Sequence, residues 1–358
     1  GQVMKGASAG PTPEYAARRL EACGFRSLGS LVDASNYVLV ELGHPVHVFD
    51  LKKLRGRTIL VRPALPREPF RALDGREYAL TEEDLVISDE KGPVALAGII
   101  GGADSAVGPG TTDLFLECAS FAPSRIRRSS RRLMIATMSS YRFERGVPAA
   151  GLPMALGRLV QLLTEWSGAL PEGSAAGEGD VKDPRWMIAF DPQKAAAWLG
   201  FPAGVGAAEK LPPILASLGI QILGSEPDQK AVIPYYRPDL RIPEDLYEEA
   251  ARTLGVDGIP ETFPRGLLPV PHHEALGELR AQATTVLAGW GFLEMVTLPL
   301  IGRDAAGAGP PEALVEVLHP LSQDQAQLRP SLIPGLLAAA AHNLDRGRRH
   351  LRLGAVAL

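Results

Sequence analysis

The sequence predicts an α+β fold divided into several units, and three observations predict it. Short apolar runs of strand length follow one another between residues 58 and 121, punctuated by Gly and Pro. Longer segments with apolar residues at three- and four-residue spacing, such as 152–168, predict helices. A stretch of small, polar and helix-breaking residues, GALPEGSAAGEGDVKDP (168–184), predicts a linker or boundary.

Taken in order, Thr12 and Pro13 open a helix that Gly24 closes, and a second short helix is expected from about Ser35 to Leu42, stopped by Gly43. The runs TILVRPA (58–64), DLVISD (84–89), PVALAGII (93–100) and LFLECASF (114–121) are expected strands of a mixed sheet. In 152–168, Leu156, Leu159, Val160, Leu163 and Trp166 form a helical face that packs on the first unit. A second unit is expected from Arg185 to about Pro264, with helices at 191–200 and 207–218 and a third from near Pro243 to Gly255. After the PVPHH turn come an amphipathic helix (274–288) and an apolar strand (292–300). The closing RHLRLGAVAL reads as a strand that needs neighbours the chain does not supply, which suggests truncation.

The 358 residues suffice for two or three domains, and 46% hydrophobic with 22% charged residues is ordinary for a soluble protein. No apolar run approaches the roughly 20 residues that cross a bilayer. The opening GQVMKGASAG lacks the apolar core of a secretory signal. Cys23 and Cys118 alone exclude a disulfide framework and a four-cysteine zinc site, so a reducing cytoplasm is expected. The net charge of −4 gives no general attraction to nucleic acid, so RNA contacts require local basic patches.

Four groups of residues can carry chemistry. In VDASNYVLVELGHPVHVFDL (32–51), Asn36 and His47 are separated by a short helix and a tight turn, so they either meet in one pocket or serve as a helix cap and an ordinary histidine. In ALAGIIGG (95–102), Gly98, Gly101 and Gly102 either admit a ligand or make a turn. Glu117 lies in a run that is apolar on both faces, where an unpaired carboxylate costs several kcal/mol, so it needs an arginine or a ligand hydroxyl. SRIRRSSRR (124–132) offers Arg127, Arg128, Arg131 and Arg132, suited either to bidentate phosphate contacts or to a solvated face.

Together these phrases resemble the bacterial phenylalanyl-tRNA synthetase β subunit. VDASNYVLVELGHPVHVFDL, the LDG of 73–75, ALAGIIGG and SSYRFERGVP occur in that family's order and spacing. YRPDLRIPEDLYEEAARTLGVDGIP and LRPSLIPGLLAAAAHNLDRG (328–347) extend the resemblance through nearly the whole chain. The resemblance implies a mixed-sheet tRNA editing domain over 1–170, a small helical domain with a nucleic-acid-binding-like fold over 182–264, and an incomplete antiparallel-sheet, synthetase-like module over 270–358.

The resemblance further implies hydrolysis of tyrosine wrongly esterified to phenylalanine tRNA. Glu117 would read the tyrosine hydroxyl, His47 and Asn36 would hold substrate and orient water, Ser35 and Gly98 would line the pocket, and Thr137 and Ser139 would control access. Physics agrees with a second site, because a phenylalanine pocket cannot strongly reject an added hydroxyl, whereas a site that hydrogen-bonds that hydroxyl prefers it. The family also implies magnesium at Asp239, Asp245, Glu248 and Glu249, shared with an α subunit in an α2β2 assembly, and ATP used by the complete ligase. On residue chemistry alone, acidic side chains near a helix N-terminus explain that cluster equally well. Ser35 and Ser139 depart from the family's common threonine and alanine, and RLGAVAL lacks an expected glutamate. A free-standing deacylase and a non-enzymatic tRNA- or subunit-binding scaffold are the alternatives.

Overall fold

The computed structural model describes residues 1–56, 58–179, 186–204, 206–225, 229–263, 266–267, 274–306 and 314–357. The chain forms two compact units, Gly1–Thr262 and Phe263–Leu358. The PVPHH turn lies outside the described residues.

The first unit opens with β1 (Gln2–Lys5), α1 (Glu14–Ala22), α2 (Ser30–Leu42) and β2 (Val46–Asp50). There follow β3 (Leu60–Pro63), β4 (Pro69–Arg71), β5 (Glu77–Ala79), β6 (Leu85–Ser88), β7 (Pro93–Leu96), β8 (Ile100–Gly101) and β9 (Asp113–Cys118). Next come α3 (Pro123–Leu133), α4 (Met138–Phe143), α5 (Leu152–Ser167) and β10 (Leu170–Glu172). One sheet has the order β10-β1-β9-β2, a second has β3-β6-β7-β8, and β4 pairs with β5. All these pairings are antiparallel, which corrects the expected mixed sheet. In these sheets no crossover helix joins neighbouring parallel strands among the described residues, so the chain returns through hairpins and long loops instead.

The sheet β10-β1-β9-β2 separates two cores. Leu114 and Leu116 of β9 and Val48 of β2 join α1, α2 and α5 in one of them. Phe49 and the strands β6 and β7 build the other, together with Phe121, Ile126 and Phe143. Strand alternation therefore turns His47, Phe49, Phe115 and Glu117 away from the helices. The helix α2 begins five residues before the expected Ser35, because buried Asp33 holds the preceding loop, accepting from Thr12 Oγ1 and Ser27 Oγ at 2.6 Å each and from Leu28 N at 3.1 Å. Gly43, at φ +68°, terminates it in the left-handed conformation, as the sequence predicts. Asn36 consequently sits inside the helix and does not cap it.

Part of the stretch expected as a linker is β10, which pairs with β1; residues 180–185 lie outside the described residues. Beyond it, β11 (Met187–Phe190), α6 (Pro192–Leu199), α7 (Ala207–Ser217), β12 (Gln221–Leu223), β13 (Gln229–Val232) and α8 (Pro243–Leu254) share a core around Phe190, Leu211, Leu215 and Leu246. The antiparallel sheet β11-β13-β12 stands beside the three helices of the small helical domain expected here. Its strands are only three or four residues long, too short for sequence alternation to stand out. Asp191 caps α6 by accepting from the amides of Gln193 and Lys194 at 3.0 and 3.1 Å.

The second unit contains α9 (Ala275–Gly289), β14 (Leu293–Glu294), β15 (Leu300–Ile301), β16 (Gln327–Leu328), α10 (Ile333–Asp345) and β17 (Leu353–Gly354). The single strand expected at 292–300 is two short ones. β15 pairs with β16 antiparallel, while β14 pairs with β17 in parallel. The closing segment thus does have a neighbour in this chain, contrary to expectation. No helix among the described residues is long and apolar enough to cross a membrane.

Candidate functional site

β2 and β9 pair in a register that sets His47 directly opposite Glu117. Both residues are half-buried as wholes, but His47 Nε2 and Glu117 Oε1 are buried and have no hydrogen-bond partner among the described residues. Native interiors pair nearly all such atoms, so two orphans side by side mark a place prepared for a ligand or for ordered water. Desolvation lowers the His47 imidazole to about 4 and raises the Glu117 carboxyl to about 7. The histidine is therefore neutral at pH 7, while the glutamate titrates there. The expected alternative of an arginine partner for Glu117 is not realised. The imidazole packs edge-on against Phe49, with ring centroids 4.4 Å apart.

The glycine that faces this pair is Gly101. A Cβ there would lie 2.6 Å from His47 Cε1 and 2.8 Å from Nε2. Gly98, the one of the three glycines of that phrase that the resemblance assigns to the pocket, points elsewhere: a Cβ there would meet Phe121, Phe143 and Ile126 in the core, at φ +67°. Gly98 makes the β7–β8 turn, and Gly101 keeps the space over the imidazole free. The signal for Gly101 was the same ALAGIIGG phrase, but only the register of β8 distinguishes the two.

Thr137 caps α4, accepting from Ser140 N at 3.0 Å, and its Oγ1 donates to Ile99 O at 2.7 Å. It thereby ties the α3–α4 turn to the β7–β8 turn, which leads into Gly101 on β8. Ser139 follows on α4, half-buried. Ser35 and Asn36 lie on α2, whose core face packs on the opposite side of the sheet, and Ser35 Oγ donates to Val32 O at 2.6 Å. The side chain of Asn36 has no partner among the described residues.

Of the arginines on α3, Arg127, Arg128, Arg131 and Arg132 are exposed, and Arg132 also pairs with Asp84, which is fully buried. Arg132 therefore differs from the other three in holding a buried carboxylate of the fold. A cleft of about 190 Å³ lined by Lys53, Arg55, Arg71, Asp89, Lys91 and Asp104 excludes both His47 and Glu117. Its Arg71 and Asp104 pair with each other, and Asp89 accepts three backbone N–H groups. The orphaned polar atoms, not this cleft, place the candidate site.

The acidic residues of the second region do not converge. Asp239 and Glu249 share Arg237, Glu249 also pairs with Arg252, Asp245 accepts from the amides of Arg241 and Ile242, and Glu248 is exposed. The arginines hold the Asp239 and Glu249 carboxyls below the usual range. Among the described residues no three carboxylate, histidine or cysteine groups come together to hold a metal ion. This donor set does not fit magnesium, because its carboxylates already neutralise arginines or cap a helix.

Three family models match the chain: the B3/4 domain over residues 1–168, the tRNA synthetase B5 domain over 188–256, and the phenylalanyl tRNA synthetase beta chain CLM domain over 259–354. These domains place the chain in the aminoacyl-tRNA synthetase class. It is 40% identical over 368 aligned residues, 99% of the chain, to a phenylalanine--tRNA ligase beta subunit of Anaeromyxobacter dehalogenans. Beta subunits of Oleidesulfovibrio alaskensis and Geobacter metallireducens are 36% and 38% identical over 99% and 98% of the chain. The chain belongs to the phenylalanine--tRNA ligase beta-subunit family and spans 44–45% of the length of these relatives. A crystallised N-terminal fragment of the phenylalanyl-tRNA synthetase beta subunit from Pyrococcus horikoshii overlaps 70% of this chain and 68% of its own, at 13% identity and a TM-score of 0.31.

Proposed function

We propose that the chain hydrolyses tyrosine mis-esterified to phenylalanine tRNA, in the pocket between His47 and Glu117. The observation that carries this reading is the buried, unpartnered Glu117 Oε1 opposite an equally unpartnered His47 Nε2. A tyrosine hydroxyl satisfies Glu117, whereas phenylalanine leaves it buried and unpaired, a difference of about 1–3 kcal/mol. His47, whose pKa of about 4 makes it a weak base at pH 7, orients substrate or water and does little proton transfer. The ester is already activated, so positioning supplies most of the rate. Gly101 leaves room for the ligand, Thr137 and Ser139 border its entrance, and Arg127, Arg128 and Arg131 contact RNA phosphates.

Within the whole protein the chain contributes to phenylalanyl-tRNA aminoacylation in the cytoplasm. It works with an α subunit in an α2β2 assembly that uses ATP and magnesium held elsewhere than on this chain alone. The test is release of tyrosine and phenylalanine, each esterified to phenylalanine tRNA, by the chain and by Glu117→Ala. Faster release of tyrosine, with the preference lost in the variant, supports the reading. No release by the folded wild-type chain, alone or with an α subunit, overturns it.

A further inference from the structure

The segment from Pro123 to Gly146 contains seven arginines and a single acidic residue, Glu144. Two arginines are neutralised, Arg132 by Asp84 and Arg145 by Glu144. Arg127, Arg128 and Arg131 remain exposed on α3, so this surface is strongly cationic in a chain of net charge −4.

The same surface carries large apolar side chains in water. Met134 is 88% exposed at φ 55°, Met138 is 47% exposed and Tyr141 is 54% exposed. Met138, Tyr141, Arg142 and Arg145 follow one another at positions i, i+3, i+4 and i+7, so they share one face. Ser140 and Phe143 are buried on the opposite face. The Arg145 guanidinium lies 3.7 Å from the centroid of the Tyr141 ring, and its Nη1 donates to Tyr141 O at 2.8 Å. One ring face is thus covered and the phenol is fixed in orientation, while the other face meets solvent. Thr137, at the start of α4, connects this ridge to the β7–β8 turn bordering the candidate pocket.

We propose that the Met138–Tyr141 ridge is a stacking platform for the unpaired 3′ end of an RNA, holding a nucleobase against the free face of Tyr141. This deepens the reading given under Proposed function and rests on it. Cationic charge selects a polyanion, and a rigid aromatic face among arginines suits a base, since every nucleobase offers a π-face.

The experiment titrates the full chain with an uncharged hairpin RNA that ends in a single-stranded 3′ tail carrying 2-aminopurine, whose fluorescence is quenched on stacking. Wild type is expected to bind and quench. Tyr141→Phe retains both, and Tyr141→Ala weakens binding about tenfold and abolishes the quench. Arg127, Arg128 and Arg131 replaced together by Gln weaken binding and flatten its salt dependence, yet preserve the quench at saturation. Quenching and affinity unchanged in a folded Tyr141→Ala chain overturn the proposal. Absence of quench with wild type, as a face reserved for a protein would give, overturns it too. Because the RNA carries no ester, failure of the deacylation assay is read separately from failure here.

Discussion

His47 and Glu117 face each other across the antiparallel pairing of β2 and β9, and each presents a buried polar atom that none of the described residues satisfies. Neither charge state compensates the other, because burial favours the neutral form of both.

Opposing pH dependences follow. Between pH 4 and 6.5 the unfolded chain binds more protons at His47 than the folded chain does, so His47 makes stability rise with pH. Between pH 4.5 and 7 the folded chain keeps the Glu117 proton that the unfolded chain has lost, so Glu117 makes stability fall with pH. Glu117→Gln is expected to expose the rising slope and His47→Ala the falling one, each at most about 1.4 kcal/mol per pH unit. Urea denaturation at a series of pH values measures both, and parallel profiles for the two variants would refute the assignment.

Gly101 and Gly98 separate activity from stability. Gly101→Ala places a methyl within 2.6 Å of the His47 ring. It is expected to cut release of tyrosine at least tenfold while the thermal midpoint changes little, because the side chains it meets can shift. Gly98→Ala combines a left-handed backbone with contacts of 2.9 and 3.0 Å to Phe121 and Phe143. It is expected to cost about 2 kcal/mol of stability. Thermal melts alongside deacylation rates decide both.

Removing the arginine from a buried carboxylate is costly. Arg132→Ala leaves buried Asp84 with only the amide and hydroxyl of Thr81, and a loss of about 3 kcal/mol is expected. Arg128→Ala, on the exposed face of the same helix, is expected to stay within about 0.5 kcal/mol of wild type. Equal losses would contradict the different roles assigned to the two.

The Arg237 network predicts insensitivity to chelation. EDTA is expected to leave the thermal midpoint unchanged, while Arg237→Ala lowers stability by about 2 kcal/mol, because Glu249, which is 9% exposed, keeps Arg252 alone as its ion-pair partner. A midpoint that falls in EDTA would restore a metal to this region.

Much of this was legible from local pattern. Gly43 as a helix stop, the face of α5 and the strand holding Glu117 follow from periodicity and turn chemistry over a few residues. What escaped depends on distant partners. Nothing near His47 in the sequence indicates that its cross-strand neighbour is Glu117. Spacing placed Asp245, Glu248 and Glu249 on one helical surface, yet Asp245 turns back to the amides before α8 and Glu249 turns to Arg237. Arg132 could not be told from Arg131 without Asp84, and Gly98 could not be told from Gly101 without the register of β8.

The His47–Glu117 pair joins residues 70 positions apart, which bears on how the site comes into being. The chain must close a loop of that length before the two side chains meet, and the entropy of closure is recovered only when the surrounding sheet and both cores consolidate. Partly folded forms with native helices therefore lack the site altogether. Its appearance during folding is expected to coincide with the slowest cooperative step, with no functional intermediate before it.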